Sequence, residues 1–377
     1  MKVILLGTAY PYRGGLASFN ERLALALQEQ GHEVEIVTFT LQYPNFIFPG
    51  KTQYSDSPPP AGLNISRRVN AINPFNWLKV GSYLRKQRAD LLLIKFWLPL
   101  MGPCFGSIAR LVRKNRKTRV ITILDNVIPH EKRAGDRLFT RYFLRSGDAF
   151  VAMSNTVLQD LRKFDTTKPR RLNPHPVFDN FGSVVSKPEA KRLLELEEQT
   201  NYLLFFGFIR DYKGLDILLQ AMADERVKET GARLIVAGEF YKNREAYEQQ
   251  IKALHLEEQL VLRTEFIADE EVYKYFCAAD LVVQPYKHAT QSGVTQIAYH
   301  FNKPMLVTRV GGLAELVPDG RAGYVVDPDP ASIATSIADF YTHHREAGFL
   351  PLIREEKKRF TWEAMVKTLE ALYAEIT

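Results

Sequence analysis

The chain opens on an apolar run, KVILLG, followed by a polar loop, TAYPYRGG. Over residues 16–30, Leu16, Phe19, Leu23 and Leu27 fall on one face at the helical period, and Gly31 supplies the stop. HEVEIVTF alternates as a second strand. The alternation then repeats: a helix near 77–88, the strand DLLLIKF, a helix about 103–116, the strand RVITIL, a helix near 135–146, the strand AFVAMS and a helix opened by Ser154 as N-cap. RRLNPHPVF, with two prolines and no period, reads as a linker near residues 170–182. Beyond it the pattern restarts with YLLFFGFI, KGLDILLQAM, ARLIVAGE, a helix about 244–254, QLVLRTEF, DEEVYKYFCAA and DLVVQPY. The tail, TWEAMVKTLEALYAEI, is a strongly amphipathic helix. Strand–helix alternation in each half predicts an α/β chain with two doubly wound, Rossmann-like parallel sheets. One stretch breaks the rhythm. Residues 41–75 carry Pro44, Pro49, Pro58, Pro59, Pro60 and Pro74, and read as a long, partly irregular excursion.

Length agrees with two units, because 377 residues exceed what one hydrophobic core usually supports. With 46% hydrophobic and 25% charged residues the composition is that of a soluble globular protein. Met1–Leu6 is cut short by Gly7, Thr8 and Pro11, so it reads as a strand and not a signal peptide. Leu91–Ile108 holds Lys95, Pro99 and Pro103 and is too interrupted to span a bilayer. Cys104 and Cys277 sit far apart in apolar contexts, as buried free thiols of a reducing compartment do. The expected location is the cytoplasm, with the inner face of the membrane as a further option. That option comes from charge: residues 1–180 carry 27 Lys and Arg against 13 Asp and Glu, a net +14, while the remainder carries 23 against 30, a net −7. A basic first half suits an anionic acceptor or an anionic membrane surface.

The chemistry gathers in Gln284–Glu315, QPYKHATQSGVTQIAYHFNKPMLVTRVGGLAE. Here Ser292 and Gly293 open a helix whose first N–H groups are free to meet an anion. Gly311 and Gly312 follow the next strand, with Glu315 three residues on. Two more pieces lie at predicted strand ends: GFIRDYKG, presenting Arg210 and Lys213, and Ala237-Gly238-Glu239. The carboxyl ends of parallel strands are where α/β folds bind ligands, and Arg and Lys together can neutralise a diphosphate. The first unit carries no G-x-G-x-x-G and no acidic residue to close a dinucleotide fingerprint, which disfavours an NAD enzyme. No metal site is expected. Asp327-Pro328-Asp329 precedes another proline and reads as a turn, His343-His344 as an exposed pair without carboxylates nearby, and His175 as a linker residue.

The ordered set resembles the retaining nucleotide-sugar glycosyltransferases of the GT-B fold, the group-1 or family-4 class. The likeness runs over nearly the whole chain: RGG before the first helix, QGHEVEIVT, FFGFIRDYKG, VAGE, AADLVVQPY and KPMLVTRVGGLAELVPDGRAGYVV. It implies two Rossmann-like domains facing across a cleft: an acceptor-binding domain at 1–178, a nucleotide-sugar-binding domain at 179–360, and a helix at 361–377 crossing back. The reaction implied is transfer of a hexose-type sugar, with retention and without a metal, from a nucleoside-diphosphate sugar to an acceptor hydroxyl, in synthesis of a cell-surface polysaccharide or glycolipid. No cofactor is expected. The donor would be a UDP or GDP sugar, the acceptor a sugar, glycolipid or lipid-linked species, and nucleic acid is not an expected partner.

Position by position, Gly14 and Gly15 match the loop near the donor's diphosphate and transferred sugar. Lys213 matches the lysine on the diphosphate and Arg210 the class's arginine, although many members place that arginine where this chain has Phe208. Ser292, Gly293 and Val294 match the segment whose amides hold the diphosphate, and Glu239 lies near the donor pocket. His130 and Asp125 occupy the region beside the transferred sugar. The class carries two glutamates eight positions apart, where this chain has Ala289 and Ile297; Thr290, Gln291, Ser292 and Thr295 are the polar substitutes, a TQSGV-type loop like that of one subset of these enzymes. The missing pair also motivates an alternative, a catalytically inactive GT-B protein that binds a nucleotide or partner. An epimerase of related fold lacks its acid/base carboxylates here.

Overall fold

Seven parallel strands build the first sheet of the computed structural model: β1 (Lys2–Leu6), β2 (Glu33–Leu41), β3 (Asn64–Asn70), β4 (Leu91–Phe96), β5 (Arg119–Leu124), β6 (Ala149–Ala152) and β7 (Arg170–Leu172), in the order β3-β2-β1-β4-β5-β6-β7. They alternate with α1 (Gly15–Glu29), α2 (Pro74–Gln87), α3 (Gly102–Arg113), α4 (Asp136–Leu144) and α5 (Asn155–Arg162). The described residues are 1–43, 52–55, 58–129, 133–179, 181–289 and 292–377. β4 is buried along its whole length, as a central parallel strand covered on both faces must be, and this explains its near-unbroken apolar run. Strand order reverses between β1 and β4, and with right-handed crossovers this places α1 on one face and α2, α3 and α4 on the other. α2 packs on α3 and α3 on α4. Gly81 and Gly106 make room for that contact: a Cβ there would strike Leu111 and Tyr142.

The second sheet has six parallel strands: β8 (Tyr202–Phe206), β9 (Arg233–Ala237), β10 (Leu260–Arg263), β11 (Leu281–Gln284), β12 (Met305–Thr308) and β13 (Gly323–Val326), in the order β10-β9-β8-β11-β12-β13. Its helices are α6 (Lys187–Leu193), α7 (Leu215–Met222), α8 (Glu225–Lys228), α9 (Arg244–Ala253), α10 (Val272–Ala278), α11 (Gly293–His300), α12 (Leu313–Leu316), α13 (Pro330–Thr342) and α14 (Glu346–Lys357). The last helix, α15 (Trp362–Ile376), lies against α1, with Trp362 on Phe19 at 5.2 Å between ring centres. Two compact units result: Met1–Pro176 with Thr361–Thr377, and Val177–Phe360.

Four readings of the sequence need correction. The excursion at 41–75 contains β3, an edge strand with mostly polar exposed residues, and residues 44–51 and 56–57 lie outside the described residues. Arg170–Leu172, read as linker, is β7, pairing with β6. His175 is no linker residue: it is buried edge-on against Phe19, Nδ1 donates to the Pro176 carbonyl at 2.7 Å, and burial followed by the charge of Lys95 pushes its pKa down to about 3. His343 does have a carboxylate at hand, Asp339 at 3.0 Å. Asp329 caps α13 through the Ser332 N–H, as a turn reading of that stretch allows. Among the described residues no group of three or more His, Cys, Asp or Glu is placed to hold a metal ion.

Candidate functional site

At the switch point of the second sheet, β8 and β11 run side by side and deliver two loops to one edge. The β8 loop leaves through Gly207, at φ +87°, and closes through a single 3₁₀ turn at Asp211–Lys213 and Gly214, at φ +71°. Both glycines are required by their surroundings as well as by their backbone. A Cβ on Gly214 would collide with the Pro285 carbonyl, and one on Gly207 would sit 2.9 Å from the Lys213 ammonium. The loop is thus folded around the lysine.

Lys213 is only 8% exposed. Its Nζ has one long hydrogen bond, to the Phe206 carbonyl at 3.4 Å, and faces the Tyr286 ring at 5.8 Å. No carboxylate of the described residues pairs with it, and burial followed by the charge of Arg210 holds its pKa down at about 7. A buried cation without a counter-ion is costly unless an anion completes it. The Arg210 guanidinium stacks on Tyr241 at 3.9 Å. That contact exists because the β8 and β9 exits are zipped together: the Ile209 N–H donates to the Glu239 carbonyl at 2.8 Å and the Tyr241 N–H to that of Ile209 at 3.0 Å. Gly238 permits the approach, since a Cβ there would strike the Gly207 carbonyl. Glu239 itself is buried.

From the other side comes α11. Ser292 occupies its N-cap but makes no capping bond; the buried hydroxyl meets that of Tyr286 at 3.3 Å instead. The first turn holds no acidic residue. Its N–H groups therefore keep the partial positive charge of a helix start. Val294 lies 3.9 Å from the Cβ position of Gly207, which puts the α11 start beside the Lys213 pocket, and Gly293 packs against the Phe178 ring. Thr295 turns inward: its hydroxyl donates to Gln284 at 3.1 Å in the core. Lys287 ties the two loops together through Asp211 at 2.9 Å and Asp216 at 3.0 Å. Ala289 and Ile297 are buried and apolar.

In the first unit, Gly14 takes φ +94° and forms the uncapped N-terminus of α1, with open space around both Gly14 and Gly15. Asp125 follows β5, its N–H donating to the Phe96 carbonyl at 2.9 Å, and its carboxylate pairs with buried Lys95 at 3.1 Å. His130 and Gln291 lie outside the described residues. The structure thus joins Arg210, Lys213, Glu239, Ser292, Gly293 and Val294 at one sheet edge, and Gly14, Gly15 and Asp125 at strand exits of the other unit. Sequence reasoning missed Tyr241, Tyr286, Lys287 and Lys95. Tyr286 had a signal, lying in the loop that leaves β11; the others depend on partners distant in the chain.

Two parallel sheets, each reversing its strand order at a switch point, with a cationic pocket at a helix start in the second unit, are the architecture of the GT-B fold. Residues 13–177 match the model "Glycosyltransferase Family 4" and residues 200–343 the model "Glycosyl transferases group 1". An uncharacterized glycosyltransferase of Methanocaldococcus jannaschii is 25% identical over 100% of this chain and 99% of its own length. A D-inositol 3-phosphate glycosyltransferase of Corynebacterium diphtheriae is 28% identical over 52% of this chain, which spans about half, 47%, of that relative. The solved structure of Anabaena HepE in complex with UDP-glucose superposes with a TM-score of 0.73 at 16% identity, covering 98% of this chain and 100% of that one. The chain belongs to the group-1, family-4 glycosyltransferases of the GT-B fold, enzymes that transfer a sugar from a nucleotide sugar.

Proposed function

We propose that the second unit binds a nucleoside-diphosphate sugar through Lys213, Arg210 and the Ser292–Val294 amides, and that the sugar passes with retention to an acceptor hydroxyl held by the first unit. The observation that carries this reading is the buried, uncompensated ammonium of Lys213 beside the open helix start of α11. Negative charge grows on the departing diphosphate as the C1–O bond breaks, and these donors are aimed where it grows. The acceptor oxygen bonds to C1 from the same face, and its proton passes to the leaving phosphate. No enzymic nucleophile is required, and the cations and amides supply the charge that a metal supplies elsewhere. Roles for Asp125, His130, Gly14 and Gly15 at the transferred sugar, and for Glu239 at the donor, are assigned in this scheme on the sequence resemblance. Thr295 acts through Gln284 and the α11 register, and Gln291 is assigned to the donor on the sequence resemblance. The transferred group is a hexose.

UDP is favoured as the nucleotide because HepE, of the same fold, is described with UDP-glucose; GDP is the competitor. The acceptor is a glycolipid or lipid-linked sugar of a cell-surface polysaccharide pathway, in keeping with the basic first half. A thermal-shift series with UDP, GDP, ADP and their sugars tests the donor assignment, since a ligand of the native state raises the midpoint. A shift with one nucleotide that disappears in Lys213→Ala supports it. No shift with any of them refutes it. The apolar burial of Ala289 and Ile297 favours a second reading, a nucleotide-binding protein without turnover. Release of free nucleoside diphosphate from the bound sugar donor rules that reading out.

A further inference from the structure

The layer formed by α2, α3 and α4 carries two features that soluble surfaces keep apart. The first is apolar exposure. Ile72, Phe75 and Leu78 stand out at the start of α2, with Phe75 84% exposed, and Leu138 and Tyr142 stand out on α4, with Leu138 67% exposed. Half of the large exposed hydrophobics in the described structure belong to this layer or to Leu100 at its edge. The second is charge. Residues 57–89 hold six cations and no acidic residue, and the three helices themselves contain one, Asp136. Lys79, Arg85, Lys86, Arg137, Arg141 and Arg145 meet no carboxylate among the described residues. Between α3 and α4, a cavity of about 420 Å³ is lined by Arg110, Arg113, Arg141, Arg145, Leu138 and Tyr142. Arg110 is fixed there by the Gly106 and Tyr142 carbonyls and by stacking on the Tyr142 ring at 3.8 Å. Arg113 is partly neutralised by Asp148 at 2.7 Å.

We propose that the α2–α3–α4 face is a membrane-docking surface: Ile72, Phe75 and Leu78 enter the acyl boundary while the arginine cavity between α3 and α4 receives an anionic lipid headgroup. Exposed apolar side chains among cations are the pattern of helices that lie in a bilayer interface. Other occupants fit less well. A nucleic acid would use the cations but leave Phe75 and Leu78 in water, and a second copy would bring like charges together. The inference locates the membrane partner of the proposed acceptor chemistry, but it stands without the transfer reaction, because its test needs no substrate.

The test is flotation of the whole protein with vesicles of phosphatidylcholine alone, and of phosphatidylcholine and phosphatidylglycerol in equal parts, at low and high salt. The anionic vesicles should carry the protein and the neutral ones should not. Phe75→Glu/Leu78→Glu should lower binding at least about tenfold, the loss of two buried apolar side chains. Arg141→Glu/Arg145→Glu should lower it by a similar factor at low salt. All four positions face solvent, so the melting midpoint and the nucleotide-induced shift should stay as in the wild type. Wild-type protein that ignores anionic vesicles overturns the proposal. So does binding that falls with the arginines alone while Phe75→Glu/Leu78→Glu binds normally, for that is the behaviour of a plain polyanion site. A nucleotide shift that persists when flotation fails separates this proposal from the donor assignment.

Discussion

Lys95 of the first unit and Lys213 of the second are both buried, and the two are kept in opposite company. Lys95, 3% exposed, pairs with Asp125 and lies over the Phe19 ring. Lys213 has only a carbonyl and a tyrosine face. Burial lowers the pKa of both, but at Lys95 the Asp125 carboxylate opposes that effect, whereas at Lys213 Arg210 adds to it. A charge compensated within the fold is part of the architecture. Among the described residues Lys191 and Lys303 also lack carboxylates, but each donates two bonds to backbone carbonyls, whereas Lys213, with one long bond, keeps donors open for a ligand. The contrast separates a lysine paired within the fold from the one the proposed donor site would use, although both lie toward the carboxyl ends of parallel strands.

The comparison breaks most visibly at Asp125. Asp125→Ala strands Lys95 in the core and should cost about 3–5 kcal/mol, read by chemical denaturation; Lys95→Met in the same chain should restore most of it. A loss confined to activity, with stability intact, would make Asp125 a sugar contact rather than a counter-ion. Next in size is Lys213→Ala, which should reduce turnover at least about a hundredfold, about 2.7 kcal/mol of barrier, while leaving the fold intact. Near-normal transfer by that variant would sink the phosphate assignment.

Proton linkage gives a third, smaller handle. The Lys213 pKa near 7 in the folded chain against 10.5 for a free lysine means the unfolded state holds more protons between those values. Its contribution makes stability rise with pH across that window, and Lys213→Met should abolish this part of the rise. A diphosphate draws the proton back, so nucleotide affinity should fall by up to about tenfold per pH unit above 7, measured calorimetrically in two buffers of different ionisation enthalpy. Affinity flat from pH 7 to 9 would contradict it. The least effect is expected from Tyr241→Leu, which removes the shelf under Arg210 and should weaken nucleotide binding by about 0.5–2 kcal/mol.

Legibility followed periodicity and backbone chemistry. The β8 turn could be read because a strand, two obligatory glycines and a lysine stand within eight residues. The α11 start could be read because Ser292 and Gly293 precede an apolar helix. β3 escaped because an edge strand with polar faces has no apolar alternation to betray it; only Val69 is fully buried. β7, three residues long, is too short to show a period. Lys95 hid inside LLLIKF, where its counter-ion, thirty residues on, is invisible to local pattern. Arg210 and Tyr241 are likewise joined only by the pairing of two strand exits. His130 and Gln291 stay expectations of the sequence, since they fall outside the described residues.

The placement of α15 has a consequence for synthesis. Residues 361–377 complete the first unit, yet they are translated only after every residue of the second. Phe19, covered by Trp362 in the finished protein, therefore waits without its cover while residues 177–360 emerge and close around their own sheet. A nascent chain at that stage leaves the surface that α15 covers exposed on a half that began to fold first. Truncations within residues 361–377 should accordingly damage the N-terminal unit before they touch the other.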